Sequence, residues 1–111
     1  MDKGRTIKPE NIYSSVSSVH EKEFFETLVE KGMLRIERIV SCGHRSPENG
    51  WYDQNQNEWV LLLKGSAVIT FSNNAVVRLE EGDYIHIPPH QRHRVSWTDP
   101  NRETYWLAVY Y

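Results

Sequence analysis

The pattern of apolar and polar positions changes once along the chain, at Gly32. Residues 1–17 are polar and irregular, which indicates an N-terminal arm. Ser18 and Glu21 have the spacing of a helix capping box, and a glycine is a common residue at a helix end. The apolar residues in between recur at helical spacing: Phe24, Phe25, Leu28 and Val29. This first pattern predicts one α-helix over about residues 19–31.

After this glycine the chain consists of short runs rich in β-branched and aromatic residues, separated by Gly, Pro, Asn and Asp. The runs are MLRIERIV, EWVLLLK, AVITFS, AVVRLE, DYIHIP, RHRVSWT and ETYWLAVY. A further short strand is predicted near residues 51–54. No helical pattern separates the runs, so they predict an antiparallel β-sandwich or barrel over about residues 33–110. EWVLLLK is apolar on both faces and predicts a central strand, and residues 72–74 (SNN) predict a tight hairpin turn.

Composition and charge narrow the class of protein. The chain has 111 residues, a usual size for one domain, so we expect a single domain over residues 18–111. A net charge of -2 argues against a protein that binds nucleic-acid phosphates. Cys42 is the single cysteine, which excludes an internal disulfide and a CxxC metal site. The sequence shows no apolar run of membrane-spanning length and no secretory signal, so we expect a cytoplasmic protein with no membrane partner.

Two stretches of the sequence resemble the signature motifs of the cupin superfamily. In EWVLLLKG, Glu58 and Gly65 are separated by six residues, as in the end of the first motif, G(X)5HXH(X)3-4E(X)6G. The second motif, G(X)5PXG(X)2H(X)3N, matches at three positions: Gly82, Pro88 and His93. The family's middle glycine is His90 here, and its final asparagine is Trp97. The resemblance covers about residues 34–110.

The resemblance implies a jelly-roll β-barrel, with the predicted helix packed on it and the functional site in the barrel mouth. In metal-bearing cupins, the two histidines of HXH, the glutamate of the first motif and the histidine of the second hold one divalent metal ion. Glu58 and His93 match the last two ligands and imply a site for Zn, Ni, Mn or Fe. Both histidines of HXH are missing, because residues of WYDQ (51–54) stand in their place.

Two ways of counting through WYDQ leave the identity of a third ligand open. One count puts Tyr52 and Gln54 at the HXH positions, and the other puts Trp51 and Asp53 there. Asp53 offers a carboxylate oxygen, Gln54 a weaker amide oxygen, and Tyr52 a phenolate only beside a strongly polarising ion. His44, in a nearby turn, is a further option.

Glu58 and His93 have two other interpretations that need no metal. They can form a general acid–base pair with shifted pKa values, or a buried histidine can simply be hydrogen-bonded to a carboxylate. In a strand that alternates without interruption, Trp97 shares a face with His93, so Tyr52 and Trp97 are candidate walls of a ligand pocket.

The sequence leaves three functions open. The first is a small enzyme with Glu58 and His93 at its centre, acting on a small carbonyl compound or sugar. The second is a binding or sensor module, and the third is an interaction protein. The C-terminal run YWLAVYY would be a sticky edge if it were left uncovered, so we expect a homodimer in each case.

Overall fold

The computed structural model describes residues 7–16 and 21–111, and the regular elements in these ranges are eight β-strands. The strands are β1 Phe24–Lys31, β2 Leu34–Ser41, β3 Glu58–Lys64, β4 Ser66–Phe71, β5 Val76–Glu80, β6 Tyr84–Ile87, β7 His93–Thr98 and β8 Thr104–Tyr110. In these ranges, no helix is long and apolar enough to cross a membrane.

The strands form two antiparallel sheets that face each other as in a jelly-roll β-barrel. One sheet has the order β1-β2-β8-β3-β6, and the other has the order β5-β4-β7. Alternate residues of each strand point inward, and the inward side chains of both sheets form one core. From the larger sheet come Val60, Leu62, Ile87 and Trp106, and from the smaller one come Ala67, Ile69 and Leu79. Burial of this apolar surface is the main force that holds the sheets together.

The chain passes from one sheet to the other at Gly65, between β3 and β4. Gly65 has a φ of 98°, and a β-carbon there would lie 2.6 Å from the Cα atom of Thr104. Only glycine fits this position, because both the backbone conformation and the contact exclude a side chain. The same glycine ends the first cupin-like motif, so that part of the motif reflects a structural requirement.

The predicted helix over residues 19–31 is wrong in the part that the structure describes, because residues 24–31 are strand β1. Its backbone pairs with β2 along the whole strand, and Gly32, with a φ of 58°, lies in the turn between the two strands. Leu28 is an extra residue opposite an unbroken β2, so a β-bulge interrupts the alternation of β1. The bulge makes the apolar pattern resemble helical spacing. Ser18, the expected cap, lies outside the described residues.

The predictions for the remaining strands are largely confirmed. EWVLLLK is a central strand, β3, between β8 and β6. The predicted strand near residues 51–54 is reduced to one bridge, between Tyr52 and His93. YWLAVYY is not an edge, because β8 lies between β2 and β3. The edges of the larger sheet are β6 and β1, and on β1 Phe25 is 54% exposed and Leu28 43% exposed.

Candidate functional site

A cavity of about 100 Å³ lies between the two sheets, near the ends of β3, β7 and β8. Apolar side chains from both sheets form part of its wall, including Val60, Ile69 and Trp106. Its polar wall includes Glu23, Tyr52, Gln54, Glu58, His93 and Tyr110. A mostly apolar cavity with a few convergent polar groups is the usual form of a small-molecule site.

Glu58 and His93 meet in the wall of this cavity, as the sequence predicted. Glu58 is the first residue of β3 and His93 the first residue of β7, so the two sheets each deliver one partner. The His93 Nε2 atom lies 3.2 Å from the Glu58 Oε1 atom. Both side chains are buried, and Gln54 donates a 2.9 Å hydrogen bond to the same Glu58 oxygen. A buried carboxylate needs such partners, and here they come from two directions.

The hydrogen bonds around His93 determine where its protons lie. The Nδ1 atom is 2.8 Å from the carbonyl oxygen of Gln91, which can only accept, so Nδ1 carries a proton. In a neutral imidazole, the lone pair of Nε2 would then face the Glu58 carboxylate. Two acceptors at that distance repel each other, so the contact is favourable when the pair holds an additional proton.

The pKa of His93 agrees with this arrangement. Burial alone disfavours the imidazolium ion, but the contact with Glu58 and the hydrogen bond to the Gln91 carbonyl outweigh burial. Together they raise the pKa of His93 above its usual value of 6.5. Glu58 and His93 therefore form a pair that stores a proton beside the cavity.

Two aromatic side chains and a backbone bridge hold His93 in place. Tyr52 and His93 exchange backbone hydrogen bonds of 2.7 Å and 3.2 Å, which tie the WYDQ segment to β7. The ring centroids of Tyr52 and Phe71 lie 5.6 Å and 6.1 Å from that of His93. These contacts restrict the orientation of the imidazole, so Tyr52 is both a wall of the cavity and a support for His93.

Asp53 points away from the cavity and does not join Glu58 and His93. Its carboxylate oxygens lie 2.8 Å from His90 Nδ1 and 3.3 Å from Arg92 Nε on the exposed side of the segment. The hydrogen bond from His90, followed by the contact with Arg92, outweighs partial desolvation and lowers the pKa of Asp53. Neighbouring residues of an extended segment face opposite ways, so Gln54 faces the cavity and Asp53 does not.

The residues around the cavity do not fit a metal cage. A catalytic metal usually keeps three protein ligands, whereas Glu58 and His93 supply two, with the weaker amide of Gln54 beside them. In residues 7–16 and 21–111, no group of three or more His, Cys, Asp or Glu side chains could hold a metal ion. His44 does not fill the gap, because its Nδ1 atom accepts a 2.9 Å hydrogen bond from the backbone of Cys42.

Trp97 does not line the cavity, contrary to the expectation from simple alternation. Val68 pairs with Trp97 and the next residue, Ile69, pairs with Val95, so Ser96 is an extra residue in β7. This β-bulge reverses the facing of the residues that follow. His93 and Val95 line the cavity, whereas Trp97 is half-buried on the other face, 5.2 Å from the guanidinium of Arg78.

The wall residues that were not predicted as site residues from the sequence include Glu23, Trp106 and Tyr110. Alternation along β8 from the buried Trp106 could have identified Tyr110, which pairs with Glu58. Burial, with the nearby charges of Glu58 and Glu37, raises the pKa of Tyr110 well above its usual value of 10.0, so its phenol stays neutral. Glu23 was missed because it fell within the predicted helix. Its carboxylate accepts a hydrogen bond from the hydroxyl of Ser41.

Two facing antiparallel sheets with a histidine–carboxylate pair in the cavity between them define a small β-barrel protein with an interior polar site. The chain belongs to the cupin domain family, whose model matches residues 41–110. The family's middle glycine is His90 here, and it retains a left-handed backbone with a φ of 63°. No curated protein matches the chain in sequence.

Solved structures agree with this assignment. The chain is similar to a "putative mannose-6-phosphate isomerase" from Ralstonia eutropha JMP134, with 43% identity and a TM-score of 0.88 over 94% of this chain and 97% of that one. It also has the fold of a cupin superfamily protein from Desulfitobacterium hafniense DCB-2, with 18% identity and a TM-score of 0.77 over 96% of this chain and 92% of that one.

Proposed function

We propose that the protein binds a small carbonyl compound in the cavity and that Glu58 and His93 transfer protons on it without a metal ion. The observation that carries this proposal is the buried contact of 3.2 Å between His93 Nε2 and Glu58 Oε1 in the cavity wall. A candidate acid and base must lie within hydrogen-bond reach of the same reacting group, and two neighbouring side chains in one cavity wall support that assignment.

The hydrogen bonds assign a role to each partner. Glu58, oriented by the hydrogen bond from the Gln54 amide, takes a proton from the carbon next to the carbonyl group. His93, protonated on both nitrogens, donates its Nε2 proton to the carbonyl oxygen. One proton leaves the substrate and one enters it, so an enol forms without an oxidant or reductant. When that neighbouring carbon carries a hydroxyl group, His93 then takes the proton of this hydroxyl and Glu58 returns its proton to the former carbonyl carbon, which completes an isomerisation.

Two further observations support this reaction type. The relative from Ralstonia eutropha is described as an isomerase, and isomerisation is proton transfer between neighbouring atoms. The donor set of the cavity suits proton transfer better than metal binding, because the Glu58 carboxylate contacts only the His93 imidazole and the neutral amide of Gln54, while Glu23 accepts a hydrogen bond from Ser41. A histidine whose pKa is raised above its ordinary value by a neighbouring carboxylate is a common proton donor in enzymes.

The experiment is proton exchange in deuterium oxide after thorough treatment with a chelator. Hydroxyacetone and dihydroxyacetone serve as probes, and NMR follows the replacement of hydrogen by deuterium beside the carbonyl group. We expect exchange by the chelated protein and a loss of about 100-fold or more in Glu58→Gln and His93→Gln. Asp53→Asn, which changes a carboxylate outside the cavity, is the matched control and should retain exchange.

Two results would contradict the proposal. If chelation abolishes exchange and Zn, Mn, Ni or Fe restores it, the reaction depends on a metal. If both probes bind but neither is exchanged, the protein is a ligand-binding module. The apolar wall around Val60 and Ile69 favours this second candidate, because such surface holds a ligand without contributing to proton transfer.

A homodimer is also part of the proposal. A group of exposed apolar residues lies on β1 and its turn rather than on β8, with Val29 46% exposed and Met33 69% exposed. An uncovered edge strand with such residues is a pairing surface. Light scattering of the purified protein should give twice the chain mass, and Val29→Lys should shift it towards the monomer.

A further inference from the structure

The cavity wall carries negative charge and no compensating cation. Glu23 and Glu58 both line it, and no lysine or arginine of the described residues does. The nearby guanidinium of Arg35 lies 4.4 Å from the ring centroid of Tyr110, but it is 3.4 Å from Glu37 and is neutralised there. When His93 carries its proton it balances Glu58, and no lysine or arginine of residues 7–16 and 21–111 forms an ion pair with Glu23 or lines the wall beside it.

Aromatic rings surround the same space. Phe25, Tyr52, Trp106 and Tyr110 all line the cavity, and the first two are about half exposed at its mouth. Aromatic faces attract cations, and the attraction grows when the cation is desolvated. Carboxylates and aromatic faces in one wall therefore favour a positively charged ligand over a negatively charged one.

A third observation indicates an oxygen acceptor on the ligand. Trp106 lines the cavity with 3% of its surface exposed, and its indole Nε1 has no hydrogen-bond partner among the described residues. A buried donor without an acceptor is costly, and a ligand carbonyl or hydroxyl oxygen would remove that cost.

We propose that the natural ligand is a small carbonyl compound that carries an ammonium group, an inference that rests on the proposed function. The ammonium group lies between Glu23 and the aromatic rings, and the oxygen faces Trp106 and His93. A cavity of about 100 Å³ is smaller than the roughly 300 Å³ at which drug-sized pockets begin, so the ligand has few heavy atoms. A phosphorylated sugar does not suit this wall, because its phosphate would approach Glu23 with no cation to receive it.

The first experiment compares three probes of similar size and different charge: n-propylammonium, 1-propanol and propionate. NMR titration of the full-length protein reports the dissociation constant of each. We expect n-propylammonium to bind at least about fivefold more tightly than 1-propanol, and propionate to bind most weakly. Equal affinities for the three probes, tighter binding of propionate, or no binding of n-propylammonium would overturn the inference.

The second experiment removes the charge of Glu23 and keeps its shape. Glu23→Gln can still accept the hydrogen bond from Ser41, so the fold should be retained. We expect it to reduce n-propylammonium affinity about fivefold and to leave 1-propanol affinity unchanged. Glu30→Gln removes an exposed carboxylate of β1 and should change neither affinity. A loss of n-propylammonium binding in Glu30→Gln equal to that in Glu23→Gln would contradict a specific role for Glu23.

The two proposals fail in different ways. Exchange of hydroxyacetone without any preference among the three probes would overturn the ammonium inference and leave proton transfer standing. A preference for n-propylammonium that depends on Glu23, in a protein that exchanges no carbonyl compound, would support the ammonium inference and overturn proton transfer.

Discussion

The molecule contains two histidine–carboxylate pairs built from the same two segments, and they differ in burial. His90 and Asp53 lie 2.8 Å apart with 69% and 37% of their side chains exposed, whereas His93 and Glu58 lie 3.2 Å apart with 5% and 12% exposed. The shorter contact is therefore the exposed one. Water screens it, while the buried pair interacts in a medium of lower polarisability. Separation alone does not identify a functional pair, and the surroundings decide what each pair can do.

The largest expected difference between the pairs is the cost of removing one partner. His93→Ala leaves the Glu58 carboxylate buried without its imidazole, which costs about 3–5 kcal/mol of unfolding free energy. His90→Ala leaves Asp53 in water and should lie close to the wild type. Urea denaturation followed by fluorescence measures the free energy of unfolding of both variants. Equal losses in the two variants would mean that burial does not distinguish the pairs.

A smaller effect is expected from the amide that supports the buried pair. Gln54 donates to Glu58, so Gln54→Ala should cost about 1.5–3 kcal/mol, as for other hydrogen bonds to charged groups. The loss should shrink when Glu58 is already Gln, because no charged acceptor remains. A double-mutant cycle with Glu58→Gln measures this coupling, and additive losses would show that Gln54 acts elsewhere.

The two pairs should respond to pH in opposite directions. The pKa of His93 is raised, so its stabilising contribution is complete below its unfolded value of about 6.5 and is lost as pH rises through the raised value. The pKa of Asp53 is lowered, so its contribution is present above about 3.8 and is lost as pH falls through the lowered value. The measurement is the unfolding midpoint as a function of pH. The fall of the midpoint on the alkaline side should be absent in His93→Ala and present in Asp53→Asn.

The smallest expected effect is the salt dependence of the exposed pair. Asp53→Asn removes contacts that water and salt already screen, so stability should change little at low salt and not at all at high salt. The buried pair should be much less sensitive to salt. The measurement is the thermal unfolding midpoint of wild type and Asp53→Asn at low and high salt. A large loss of stability in Asp53→Asn that does not depend on salt would show that this pair is also structural.

The β-rich runs, the central strand and the contact between Glu58 and His93 could be predicted from the sequence, because each depends on local pattern or motif spacing. The errors at β1 and Trp97 share one physical cause. An extra residue, Leu28 in β1 and Ser96 in β7, breaks the two-residue alternation, and pairing with the neighbouring strand stabilises the break. No local pattern in the sequence marks either extra residue. The position of Glu23 was lost with the first of these errors, since this residue, directly before β1, had been assigned to the helix.

The extra residue in β7 also bears on how such a strand can change by mutation. An in-frame deletion of the Ser96 codon would remove the bulge and keep every pairing, because Val95 and Trp97 already oppose Ile69 and Val68, which are consecutive residues of β4. Thr98, which is 1% exposed and bonded to the His44 carbonyl, would keep its orientation as well. His93 and Val95 precede the deletion and would keep their orientation. One residue can therefore be lost from the middle of the strand without turning either the histidine at its start or the threonine at its far end.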